Sequence, residues 1–162
     1  MKLKIMVVAL VLACVSCKAW GADVVNVDSL PPLVQLIADK TAERQVPFSL
    51  AYAIIKVEST FDVRAYNSGN YGLGQIRCAT AKGLGFKGNC KLLFDPETNL
   101  TWSMLYLKEA LDRAKGDWCK AATLYNRGTY AKLGKKPSAY CRRVMAAIPA
   151  IVADKKRSFL HL

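Results

Sequence analysis

Histidine is almost absent, with a single residue, His161, next to the C-terminus of the 162-residue chain. Without a usable imidazole, Ser–His and Cys–His nucleophilic catalysis is excluded. No CxxC pair accompanies it, so a zinc site is not expected, and no other metal or cofactor is called for. Phosphate-loop and dinucleotide glycine patterns are missing. Strict apolar alternation is missing as well, which leaves a mostly α-helical class rather than a β-domain. The sequence carries neither an internal repeat nor a linker, and no apolar run long enough for a stable membrane span. Acidic residues are few, 12 against 24 basic, for a net charge of +12.

A basic chain can meet nucleic acid, anionic lipid or an acidic polysaccharide. No nucleic-acid motif is visible, and the cations are scattered apart from Lys135-Lys136, Arg142-Arg143 and Lys155-Lys156-Arg157, so nucleic acid is not an expected partner. A membrane-active protein would need a strongly basic amphipathic helix, which the C-terminal helix matches only modestly.

The N-terminus reads as an export signal. Lys2 and Lys4 precede an apolar run from Ile5 to Val15, and Ala19-Trp20-Gly21 offers a cleavage site before Ala22. Residues 1–21 are the expected signal peptide and 22–162 a single domain, periplasmic or secreted, with net charge +9 once Lys2, Lys4 and Lys18 are set aside. A lipoprotein box at Val11-Leu12-Ala13-Cys14 ranks second, because Leu12 is bulky for it. Export leaves Cys78, Cys90, Cys119 and Cys141, an even count that implies two disulfides. Of three possible pairings, the sequence-local Cys78–Cys90 and Cys119–Cys141 are preferred.

In chain order, Asp28 and Ser29 precede Pro31-Pro32 and an amphipathic helix to about Arg44. A second helix follows over 46–58, its apolar stripe at Ala51, Ile54, Ile55 and Val57. Ser68 to Gly74 is glycine-rich and leaves room for a small β-hairpin. A short helix is expected around Ala79–Leu84, and Asp95-Pro96-Glu97 signals the start of a longer one ending near Gly116. Asp117 caps a helix that stops at Asn126-Arg127-Gly128, and a last helix from about Ser138 carries Tyr140, Val144, Ile148 and Ile151 as its apolar face and meets Pro149, a bend or interruption.

Carboxylate chemistry is what this inventory leaves. Glu58 lies three, four and seven residues beyond Ile55, Ile54 and Ala51, on the buried side of its helix. Partial desolvation raises a carboxyl pKa and suits it to act as a general acid. Asp62, the nearest second acid, falls in the loop after the helix, where a surface or capping role fits better than catalysis. A lone carboxylate suffices where the substrate supplies its own nucleophile, as an N-acetylated sugar can.

Three stretches in order resemble the motifs of soluble lytic transglycosylases with the goose-lysozyme-like catalytic fold. They are Glu58-Ser59-Thr60-Phe61, Gly72-Leu73-Gly74-Gln75-Ile76, and Ala122-Thr123-Leu124-Tyr125-Asn126-Arg127-Gly128. Val46-Pro47, Thr80-Ala81, Asp95-Pro96-Glu97 with Asn99, and Tyr106-Leu107 add to the pattern. The resemblance implies a compact lysozyme-like helical domain acting on peptidoglycan glycan strands. Glu58 would be the acid/base that cleaves the MurNAc–GlcNAc bond and leaves a 1,6-anhydromuramoyl end. Ser59 and Gln75 match positions that contact sugar or steady the site, and Tyr125 with Asn126 match the position whose tyrosine hydroxyl orients the catalytic carboxyl. An envelope-spanning secretion or assembly machine is the partner implied by family analogy. Gly74 stands where the family has methionine, which is expected to remove an apolar wall from the sugar site. Arg127 replaces a small residue, to contact an anionic peptide stem or to face water. A hydrolytic muramidase on the same fold and an inactive peptidoglycan-binding protein are the alternatives.

Overall fold

The structure is a computed structural model that describes residues 31–148. The expected export signal, the cap at Asp28 and Ser29, and the bend at Pro149 lie outside the described residues. Helix α1 is Pro32–Glu43, α2 Phe48–Ser59, α3 Cys78–Gly83, α4 Pro96–Arg113 and α5 Trp118–Arg127. A 3₁₀ turn spans Cys90–Phe94, and the described part of α6 covers 139–148. Helix starts follow the signals in the sequence. Asp95 accepts from the Thr98 N–H at 2.8 Å and Asp117 from the Lys120 N–H at 3.0 Å, each satisfying a donor that the first helical turn leaves open.

Helix α4 is the spine, packed against both α1 and α5. Leu100, Met104, Leu107 and Ala110 recur at helical spacing and are fully buried in one core that also holds Leu50, Ile54 and Ile55 of α2. Each such leucine or isoleucine contributes about 2 kcal/mol of apolar burial. Lys40 of α1 bridges Glu43 at 3.2 Å and Glu97 at the start of α4 at 3.0 Å.

The glycine-rich stretch forms more than a hairpin. Strands β1 (Tyr66–Asn67), β2 (Asn70–Tyr71) and β3 (Ile76–Arg77) make an antiparallel sheet with Tyr66 opposite Tyr71 and Tyr71 opposite Ile76. Two-residue strands are too short to show alternation, which is why the third strand is invisible in the sequence. Beneath the sheet lies a satellite core of Ile76, Ala81, Phe86 and Leu93. Cys78–Cys90 closes that region, and Cys119–Cys141 joins α5 to α6. Both preferred pairings are therefore the ones observed. Closing loops of this size constrains the unfolded chain by ~3 kcal/mol each.

Asn99 ties the sheet to the spine. Fully buried, its amide donates to the Tyr71 and Leu93 carbonyls, both at 2.7 Å. Its Oδ1 accepts from the Gly74 N–H at 2.8 Å and the Ser103 hydroxyl at 3.2 Å. Asn99→Leu keeps the volume but strands three backbone groups, so it is expected to cost about 3 kcal/mol. Urea unfolding at unchanged slope is the measure, and a loss below about 1 kcal/mol would contradict this role.

Candidate active site

Helix α2 carries Glu58 one residue from its end. The chain then turns sharply through Thr60 (φ 52°) and Phe61 (φ 65°), two successive left-handed residues without glycine. Such a conformation costs of order 1 kcal/mol or more per residue and persists because packing enforces it. Here the Phe61 ring packs 4.7 Å from Tyr52. The turn stops α2 where Glu58 reaches a cavity of about 310 Å³, lined also by Asn70, Gln75, Arg77, Tyr106, Tyr125 and Asn126.

The Glu58 carboxyl is held above the ordinary carboxylate range, first by burial; the Tyr140 hydrogen bond and the Arg143 charge pull it partly back down. The Tyr140 hydroxyl donates to Glu58 Oε1 at 2.6 Å. Burial, and then the Glu58 charge, push the Tyr140 hydroxyl well above its usual value, so it stays a donor. The Arg143 guanidinium lies 5.5 Å from the centre of the Tyr140 ring.

The expected site residues divide. Tyr125 and Asn126 line the cavity with Glu58, but the hydroxyl on the carboxyl belongs to Tyr140 rather than Tyr125. Tyr125 is buried, donates to the Gly74 carbonyl at 2.7 Å, and is likewise kept protonated by burial. Gln75 lines the cavity, yet spends its amide N–H groups on the Ala65 and Gly72 carbonyls at 3.0 and 2.9 Å, bracing its own loop. Ser59 lies outside the cavity lining, and its hydroxyl bonds back to the Ile55 carbonyl at 3.2 Å. Asp62 is exposed and caps a local turn through the Arg64 N–H at 2.8 Å, as its loop position implies.

Tyr140 is the site residue that sequence reasoning missed, having been assigned to the apolar face of the last helix. Its usable signal is the neighbouring Cys141, whose disulfide to Cys119 brings α6 against α5. Ser138 adds to that junction, its hydroxyl 2.8 Å from Thr123 Oγ1. Tyr106 also belongs here, its ring 5.2 Å from that of Tyr125.

Gly74 does not vacate a sugar-facing wall. A Cβ there would run into the Ser103 hydroxyl, and would sit 2.6 Å from Ser103 Cβ and 2.9 Å from the Tyr125 hydroxyl. The position faces the α4–α5 packing. A Cβ on Gly72 would likewise meet Asn99 Nδ2 and the Leu93 carbonyl, both at 2.6 Å. Both glycines permit the loop to lie directly on α4.

In comparisons with known proteins, the sequence model of the transglycosylase SLT domain matches residues 35–143. A solved structure of an inactive mutant of lytic transglycosylase Slt from Pseudomonas aeruginosa is similar at TM-score 0.62 and 20% identity, over 76% of this chain and 24% of that one. A 70-kDa soluble lytic transglycosylase in complex with bulgecin A is similar at TM-score 0.54 and 25% identity, over 70% of this chain and 18% of that one. The chain thus spans a quarter or less of the proteins whose fold it shares. The mostly helical, lysozyme-like architecture expected from the sequence is the one observed.

Gly74→Met is expected to lose about 2 kcal/mol through overpacking against Ser103. Adding Ser103→Gly should recover part of that in thermal or urea unfolding. A Gly74→Met variant as stable as its parent would return the position to the sugar cleft.

Proposed function

This chain belongs to the transglycosylase SLT domain family, and from that premise we propose that it is a peptidoglycan lytic transglycosylase with Glu58 as its acid/base. The observation that carries the reading is the isolation of this carboxyl. Glu58 is the only carboxylate among the described residues lining its cavity. Glu109, which lines the neighbouring cavity, is engaged by Arg113 Nε and the Thr129 hydroxyl, each at 3.0 Å. A hydrolase of the two-carboxylate type needs a second acid to activate water or to form a covalent intermediate. A single acid suits a substrate that attacks itself.

In that mechanism protonated Glu58 gives its proton to the oxygen joining muramic C1 to the N-acetylglucosamine. The C1–O bond breaks, and the acetamido carbonyl of the muramic residue supports the electron-deficient C1. The Glu58 carboxylate then takes the proton of the muramic C6 hydroxyl, whose oxygen bonds to C1. Acid and base are one group, the proton balance closes, and no water is consumed. Burial lets Glu58 keep its proton to higher pH than an exposed carboxyl does, the direction a general acid needs. The Tyr140 hydroxyl fixes the carboxyl orientation and steadies the carboxylate formed after the first transfer.

Export by the 1–21 segment completes the proposal. Four cysteines in two disulfides fit an oxidising compartment, and no described helix is long and apolar enough to cross a membrane. Local opening of the wall for an envelope-spanning machine is the role attached by family analogy.

Mass spectrometry of sacculi digested with residues 22–162 provides the test, beside Glu58→Gln. Fragments ending in 1,6-anhydromuramic acid are expected, and none from the variant. Reducing muramic ends, one water heavier, would make the protein a muramidase. Failure of both proteins to release fragments would favour a binding role.

A further inference from the structure

A second cavity, of about 560 Å³, lies between the start of α5 and the 128–138 connection. Arg127, Lys135 and Lys136 line it, and among the described residues none of the three is in an ion pair. Its one acid is already paired with a fourth cation of the lining, Lys120. Asp117 caps α5 through the Lys120 N–H at 3.0 Å and pairs with Lys120 Nζ at 3.2 Å. Three cations without an ion pair among the described residues, set around a concave surface, favour an anion.

The identity of that anion follows from where the cavity opens. Arg127 lines both this cavity and the one holding Glu58. A ligand here is therefore adjacent to a glycan at Glu58, and is most economically a substituent of it. In peptidoglycan that substituent is the peptide stem on the muramic lactyl group, which carries free carboxylates. We infer that the cavity between α5 and the 128–138 connection binds the stem carboxylates of the sugar being cleaved, with Arg127 at the junction and Lys135 and Lys136 beyond it. The inference rests on the reading of Glu58 given above. Arg127 presents a planar fork suited to a carboxylate, while the two lysines act as point charges tolerant of a flexible stem. The sequence offered two fates for Arg127, and its place in the lining of both this cavity and the one holding Glu58 favours contact over simple solvation.

The experiment compares cleavage of purified peptidoglycan, freed of attached polymers, with the same material after its stem carboxylates have been converted to amides. The full exported chain is expected to cleave the free-acid form roughly fivefold faster, the scale of a few solvent-exposed charge pairs. In Lys135→Ala/Lys136→Ala that ratio should fall toward one. Lys87→Ala/Lys91→Ala removes the same charge from positions outside both cavities and should keep the wild-type ratio. Equal cleavage of the two substrates by the wild type would overturn the stem site while leaving the transglycosylase reading intact, and would move an attached phosphate polymer forward as the anion. An equal fall in both double variants would reduce the effect to overall charge. If neither substrate is cleaved, the reading of Glu58 itself fails.

Discussion

The 2.6 Å hydrogen bond from Tyr140 to Glu58 joins residues 82 apart in sequence and depends on most of the fold. It requires α2 to end beside the cavity, which the left-handed turn at Thr60 and Phe61 secures. It also requires α6 to return against α5. Three consecutive anchors bring it there: the Ser138 hydroxyl on Thr123, Tyr140 itself, and the Cys141 disulfide to Cys119. The bond balances two opposing effects. Burial favours the neutral carboxyl, while a donor on its oxygen favours the charged form. A group that must both give and take a proton benefits from that compromise.

The opposite wall depends on close backbone approach rather than on side-chain bulk. Asn99 holds the loop through Gly74, and Tyr125 holds the same residue by its carbonyl. Gln75 then closes the loop on itself. The residues that make the wall are thus largely consumed by making it. This explains why some motif residues, although brought to the cleft, direct their polar groups inward. A motif position identifies a place in the fold, and the hydrogen-bond partners decide what the side chain does there.

Much of the architecture was legible because its signals are local. Proline and aspartate at Asp95-Pro96-Glu97 mark the start of α4 through the backbone donors they leave or fill. The same holds for Asp117 at α5, and the sequence-local disulfides needed no tertiary knowledge beyond short loops. What escaped is tertiary in origin. Strands of two residues have no period to detect, so β3 at Ile76–Arg77 stayed hidden. Tyr140 looked like a core residue, and by burial it is one. Its function lies in a single hydroxyl whose partner is on a distant helix. Gly74 looked like a missing side chain facing sugar, whereas the direction of its Cβ is set by how β3 lies on α4. Direction, unlike spacing, cannot be read from one strand of sequence.

Burial raises the Glu58 pKa and the Tyr140 hydroxyl tempers the rise. A carbon-13 NMR titration of the Glu58 side-chain carboxyl in the wild type and in Tyr140→Phe tests this balance. Phenylalanine keeps the packing and removes only the hydroxyl. The expected wild-type midpoint lies above the ordinary value of 4.5, and that of Tyr140→Phe higher still, because the bond that lowers it is gone. A wild-type midpoint at or below 4.5, or one that ignores the loss of the hydroxyl, would contradict the account.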